Sequence, residues 1–126
     1  MTSIFVVDDD PLITKLVVKR FTSEHYRLEA FDYGEEVLKS LDKKPDLIVL
    51  DYLFQKGDQL VMNGMEVFDK IKEKQPNVPV IMLSGQERGE IVLELARKGI
   101  DDYVIKDNNL LDNLNASIIE LLSREN

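Results

Sequence analysis

The chain has 126 residues, with 16 basic and 24 acidic side chains, a formal charge of −8, 44% apolar residues and no cysteine. That length and apolar share fit one globular domain and exclude a second folded unit, a fibrous repeat and a largely disordered chain. Disulfides, iron–sulfur clusters and thiol catalysis are excluded too, and the acidic balance offers no basic patch for direct nucleic-acid binding, so a cationic ligand, a metal ion or a basic protein surface fits better.

The N-terminus, Met1-Thr2-Ser3, carries no cationic segment, and the apolar run Ile4-Phe5-Val6-Val7 stops at Asp8. This run is too short for a signal-peptide core, and no stretch approaches a membrane span, so a cytoplasmic protein without membrane contact is expected. The run reads as a first strand, continuous in apolar character and therefore covered on both faces. Asp10 and Pro11 then predict a helix start, since Asp10 can accept from free backbone N–H groups while Pro11 lacks an N–H where none is needed. Ile13, Val17 and Phe21, with Leu12 and Leu16, form the apolar stripe of that helix. His25, near its end and away from the strand ends, reads as solvated.

A second strand is expected at Leu28 to Phe31 and a second helix carrying Val37, Leu38 and Leu41. The third strand is Leu47-Ile48-Val49-Leu50, ended by Asp51. Asn63 with Glu66 three residues on resembles a capping box, opening a third helix that buries Val67, Phe68 and Ile71. Val80-Ile81-Met82-Leu83 is the fourth strand. In the fourth helix Ile91 pairs with Leu95 and Val92 with Ala96, and Gly99 ends it in a left-handed turn. Tyr103-Val104-Ile105 is the last strand, and Leu111, Leu114, Ile118 and Leu122 stripe the last helix. Five strand–helix alternations predict a parallel sheet with helices on both faces, a doubly wound α/β fold, which collects ligands beyond the carboxyl ends of its strands.

Polar residues stand at those ends: Asp8, Asp9 and Asp10, then Asp51, then Ser84 before Gly85, then Lys106. If the first and third strands are neighbours about 4.8 Å apart, Asp8, Asp9 and Asp51 converge, and their like charges call for a cation. Oxygen donors without sulfur favour Mg2+ over zinc. Acids, a cation, a hydroxyl and a lysine together suit a phosphoryl group, with Ser84 and Lys106 serving its oxygens. An ionised carboxylate needs no general base to act as nucleophile, and Asp51 is the choice for that role. Each residue alone also has a plain reading: Asp10 as a helix cap, Asp8 and Asp9 as turn residues, Ser84 opening a turn, Lys106 solvated.

With these residues in place, the sequence resembles the receiver domain of two-component response regulators over its full length, residues 1–126. The match rests on Phe5-Val6-Val7-Asp8-Asp9-Asp10-Pro11, Leu47-Ile48-Val49-Leu50-Asp51, Asn63-Gly64-Met65-Glu66, Ile81-Met82-Leu83-Ser84-Gly85 and Gly99-Ile100-Asp101-Asp102-Tyr103-Val104-Ile105-Lys106. The resemblance implies a flavodoxin-like sheet of strand order 2-1-3-4-5 with five helices. It further implies that Asp51 accepts a phosphoryl group from a phosphohistidine on a sensor histidine kinase or phosphotransfer protein. Asp9 and Asp51 would ligate Mg2+ directly, Asp8 largely through water, and the backbone carbonyl of Leu53 would add an oxygen. Ser84 and Lys106 would bind the phosphoryl group, and Ser84 with Tyr103 would form the switch, read out on the fourth helix, fifth strand and fifth helix by a downstream protein target. No enzyme activity beyond magnesium-assisted self-phosphorylation and dephosphorylation is implied, and with the last helix closing the chain a stand-alone receiver is expected.

Two features depart from the family. Thirteen positions lead from Asp51 to Gly64, a longer segment than usual, and Phe54-Gln55-Lys56-Gly57-Asp58-Gln59-Leu60 lacks the customary proline. Asp107 follows Lys106 where the family usually has a proline, and without one a trans bond is expected, since a cis bond would cost about 2.5–4 kcal/mol. These departures keep a second reading open, a receiver-like binding module that works without phosphate. A third, a haloacid-dehalogenase-like phosphohydrolase using Asp8, would leave Asp51 without a role.

Overall fold

A computed structural model of the chain describes residues 1–52, 63–85 and 89–124, with the side chains of 89–91 outside the description. The elements run β1 (Thr2–Val7), α1 (Pro11–Phe21), β2 (Tyr26–Phe31), α2 (Gly34–Lys39), β3 (Leu47–Asp51), α3 (Gly64–Lys74), β4 (Val80–Ser84), α4 (Gly89–Arg97), β5 (Asp102–Ile105) and α5 (Leu110–Ser123), with a 3-10 turn at Leu41–Lys43. The sheet has the order β2-β1-β3-β4-β5, and every pairing is parallel. The expected doubly wound architecture and strand order are both present.

The continuous apolar runs make sense once each strand is read by parity. Side chains alternate across a strand, so Phe5, Val7, Ile48, Leu50, Val80 and Met82 face one side, where they pack on Val37, Val67, Phe68, Ile71 and Leu95 from α2, α3 and α4. Ile4, Val6, Leu47, Val49, Ile81 and Leu83 face the other, against Val17, Phe21, Leu114 and Ile118 from α1 and α5. All residues of β3 and β4 are buried. Burying each such side chain is worth about 1.5–3 kcal/mol, and a slip of one residue would exchange the two faces, so this pattern fixes the register that aligns the strand ends.

Helix starts and stops follow the expected signals. The Asp10 carboxylate accepts from the Leu12 N–H at 2.9 Å with Pro11 at the first helical position. Asn63 and Glu66 form the reciprocal capping box. Gly99, at φ +84°, ends α4; its N–H donates to Ala96 O and the Ile100 N–H to Leu95 O, the paired bonds of a Schellman motif. Gly64 serves close approach instead. Its N–H donates to Tyr52 O at 2.8 Å, and a Cβ there would overlap the Asp51 carbonyl oxygen and Tyr52 backbone. The start of α3 is thereby drawn tight against the end of β3.

Several core expectations need correction. Leu12 is 62% exposed and Leu16 39%, and the buried line of α1 is Thr14, Val17 and Phe21. At 3.6 residues per turn, Leu12 and Leu16 sit to one side of that line, beyond the reach of the sheet. Leu41 lies in the 3-10 turn rather than in α2, though it is buried as expected. Val92 and Ala96 are exposed while Leu95 is buried. In α5, Leu110 and Leu121 are buried beside Leu114 and Ile118, and Leu111 and Leu122 are half-buried. His25 is exposed, as expected.

Candidate functional site

The site grows from the carboxyl ends of β1, β3, β4 and β5. Asp8 follows β1 and is fully buried; its N–H donates to Phe31 O at 3.0 Å and its Oδ1 accepts from the Asp10 N–H at 2.9 Å. Asp51 is the last residue of β3 and is 3% exposed. Its Cα pairs with Leu83 on β4, which leaves Ser84, also buried, one position further along. Ser84 pairs in turn with Ile105, and the Lys106 N–H donates to Ser84 O at 2.8 Å. Through that last bond β4 carries Lys106 to the mouth of the crevice.

Acidic oxygens from Asp8, Asp9 and Asp51 lie within 4.8 Å of one another. Lys106 closes the group, with Nζ 2.8 Å from Asp51 Oδ1 and 2.7 Å from Asp8 Oδ2. The first contact is a hydrogen bond; the second is an ion pair outside hydrogen-bonding geometry, which leaves Asp8 Oδ2 without a hydrogen-bond donor. Burial raises the Asp8 carboxyl above the usual range and so disfavours its charge, against the opposing pull of Lys106 and the Asp10 N–H. Burial alone would lower the Lys106 ammonium, but its hydrogen bond to Asp51 and its close contacts with the Asp51 and Asp8 carboxylates outweigh this and raise it.

One ammonium among three carboxylates leaves the crevice negative. A buried carboxylate oxygen met only by the Lys106 ion pair, in a set of hard oxygens with no sulfur or imidazole, fits a small divalent cation of the magnesium type. Asp8, Asp9 and Asp51 are the residues that could hold it. The carbonyl of Leu53, expected as a further ligand, lies outside the described residues, as do the long segment 54–62 and any part it plays. Ser84 lies on β4 beside Asp51. Tyr103, half-buried in β5, packs against the α2–α4 side of the core opposite Met82 in register. Asp10 is a helix cap, as its plain reading had it.

Sequence reasoning missed three parts. The anchoring of Asp8 through Phe31 O depends on pairing between β1 and β2. The Gly64 contact was visible only as part of a motif. The bridging of two carboxylates by Lys106 differs from the expected service to a phosphoryl group, and no spacing signals it. The Lys106-Asp107 bond is trans, and the lysine reaches Asp51 all the same.

The receiver domain model of response regulators matches residues 4–118. The nitrogen assimilation regulatory protein NtrX of Azorhizobium caulinodans is 35% identical over 107 residues, 84% of this chain and 23% of that protein. The transcriptional regulatory protein ResD of Bacillus subtilis is 33% identical over 106 residues, 83% of this chain and 42% of that protein. The BeF3-activated receiver domain of DrrB, a Thermotoga maritima response regulator, superposes with a TM-score of 0.84 at 32% identity, covering 98% of each chain. This chain spans less than half the length of both curated relatives.

Proposed function

We propose, from the premise that this chain belongs to the response regulator receiver domain family, that Asp51 accepts a phosphoryl group from the phosphohistidine of a sensor histidine kinase or phosphotransfer protein. The observation that carries the proposal is the position of Asp51, buried at the end of β3 and grouped with Asp8, Asp9 and Lys106. In the reaction an Asp51 oxygen forms the new bond to phosphorus while the bond to the donor imidazole nitrogen breaks, giving an aspartyl phosphate and a free histidine. Bound at Asp9 and Asp51 directly, at Asp8 through water and at the Leu53 carbonyl, Mg2+ would supply charge neutralisation for the phosphoryl oxygens. Lys106, already at Asp51, pairs with one phosphoryl oxygen, and Ser84 donates its hydroxyl to another. Movement of Ser84 toward the phosphate opens room for Tyr103 to turn inward, altering the α4, β5 and α5 surface that a downstream protein reads. The setting we propose is the cytoplasm; among the described residues no helix is long and apolar enough to cross a membrane.

Incubation with acetyl phosphate and Mg2+, followed by mapping of the modified peptide, tests this reading. We expect one phosphoryl group, on Asp51, lost in Asp51→Asn and in excess chelator. Label on Asp8 would instead favour the phosphohydrolase reading. An inert Asp51 together with unchanged partner affinity in Asp51→Asn would leave a phosphate-independent binding module.

A further inference from the structure

The start of α3 joins a reactive pair of residues to the contacts that hold it still. Asn63-Gly64 is the only asparagine–glycine step in the sequence; each other asparagine with a successor precedes Val78, Asn109, Leu110, Leu114 or Ala116. An asparagine side chain is open to attack by the next backbone nitrogen. Glycine in that place makes the attack easiest, because without a Cβ it neither crowds the ring that forms nor resists the backbone turn that closes it. Asn63 is thus the asparagine whose sequence invites this reaction, and it is exposed to water.

In the folded chain several contacts oppose it. The Gly64 N–H donates to Tyr52 O at 2.8 Å, so the attacking nitrogen is engaged, and Gly64 is buried away from the solvent that would take its proton. Asn63 Oδ1 accepts from the Glu66 N–H at 3.0 Å, which fixes the side chain over the first turn, and the Asn63 N–H donates to Glu66 Oε1 at 3.3 Å. With Asn63 at ψ 171°, the Gly64 nitrogen is also turned away from the Asn63 Cγ it would attack. All of these restraints sit within one helical turn. Helix ends fray, and such a turn opens at far lower free energy than the whole fold.

We propose that Asn63 is a site of spontaneous, backbone-assisted deamidation, gated by opening of the first turn of α3. On opening, the Gly64 nitrogen gives up its proton to solvent base and attacks Asn63 Cγ; the N–Cγ bond forms, the bond from Cγ to the side-chain nitrogen breaks, and ammonia leaves. Water then opens the five-membered imide at either carbonyl, which puts an aspartyl or an isoaspartyl residue in place of Asn63. The two products differ in consequence. An aspartyl residue keeps an acceptor at the cap, and its carboxylate suits the positive end of the helix. The isoaspartyl form adds a methylene to the backbone just before Gly64, where the close approach to the Asp51 and Tyr52 backbone leaves no room for it. The turn then cannot close again beside the end of β3. The reaction needs neither Mg2+ nor a phosphoryl donor.

The test ages the full chain at mildly alkaline pH, below its unfolding temperature, and follows each asparagine by peptide mass mapping, with isoaspartyl methyltransferase labelling to tell the two products apart. Asn63 should react before any other asparagine, and about tenfold or more slowly in the folded chain than in the same chain unfolded in urea, the ratio that opening one turn against the folded state supplies. Glu66→Ala, which removes half of the capping box, should speed the reaction about three- to tenfold, the factor by which a lost cap shifts the opening. Glu66→Gln, which keeps an acceptor for the Asn63 N–H without the charge, should stay near the wild-type rate. Amide resonances of Tyr52 and Gly64 should be displaced in the isoaspartyl product, and those of Asn63→Asp should keep their wild-type places. The proposal is overturned if another asparagine reacts first, if folded and unfolded chains react equally fast, if Glu66→Ala leaves the rate unchanged, or if Glu66→Gln accelerates it as much as Glu66→Ala, which would assign the effect to charge alone.

Discussion

Lys106 neutralises Asp8 and Asp51 with a single ammonium, and the proposed cation needs those same carboxylates. Lys106→Met should therefore have opposite effects on stability and on metal binding. Without metal, two buried carboxylates lose their counter-charge, at a cost of about 1–3 kcal/mol once the partial exposure of Lys106 is allowed for. With Mg2+ present most of that loss should return, and the metal should bind more tightly. Urea unfolding of both proteins, in chelator and in Mg2+, decides it; an equal loss in the two conditions would show that lysine and metal do not compete. The raised Lys106 ammonium fixes the pH dependence. A cation whose folded pKa lies above its unfolded value, 10.5, contributes stability in full below that pH and loses it as pH rises through the folded value. The stability gap between wild type and Lys106→Met should hold from neutrality to about pH 10 and close above it. For Asp8 the shift is also upward, but it arises first from burial and disfavours the charged form. Asp8→Asn keeps the acceptor for the Asp10 N–H and removes that charge, so the metal-free variant should unfold at higher urea than wild type at pH 7. The advantage should fade as the pH falls toward 3.8, the unfolded value, where wild-type Asp8 is protonated as well. Such a gain in stability bought with lost metal affinity is the usual mark of a functional residue.

At the scale of elements, α3 must start close to the site. The Gly64 N–H meets Tyr52 O, and a Cβ at this position would strike the backbone that ends β3. Because a backbone cannot swing aside as a flexible side chain can, Gly64→Ala should destabilise by about 1–3 kcal/mol and displace Asp51. Thermal unfolding, read beside acetyl phosphate labelling, should show both losses; a variant with wild-type stability would mean that the contact relaxes freely. The elements themselves were largely legible in the sequence, for physical reasons that also mark the limits. A strand such as Leu47-Ile48-Val49-Leu50 announces itself because both of its faces are buried, and the Asp10-Pro11 and Asn63-Glu66 signals act within one helical turn. Leu12 and Leu16 were misread because apolarity alone does not say how far a covering sheet extends. The grouping of Asp8, Asp51 and Lys106 was legible, since each stands at or just after the carboxyl end of a strand. The distances among them were not, because they depend on pairing between strands distant in sequence.

Across the whole molecule, the proposed aspartyl phosphate would reach the proposed α4, β5 and α5 readout through a small number of contacts. A hydrogen bond or ion pair to a charged group contributes about 1.5–3 kcal/mol, so Ser84 and Lys106 together supply roughly 3–6. Complete inversion of a two-state equilibrium takes about 5.5 kcal/mol. Phosphorylation should thus shift a population instead of latching one state, and removing either contact should leave an intermediate one. Ser84→Ala isolates this step, because the hydroxyl is absent while Asp51 and Lys106 keep their contact at 2.8 Å. With beryllofluoride as the stable stand-in for the phosphoryl group, amide resonances of α4, β5 and α5 in wild type should move most of the way to their activated positions. In Ser84→Ala the same resonances, those near Tyr103 included, should stop about midway along the line joining the two states, as expected when roughly half of the coupling energy is lost. Binding of beryllofluoride should weaken only modestly, since the lysine and the metal ligands remain. Full displacement in the variant would assign the coupling to Lys106 alone, and displacement along a different line would mean that Ser84 selects a conformation outside the two-state pair.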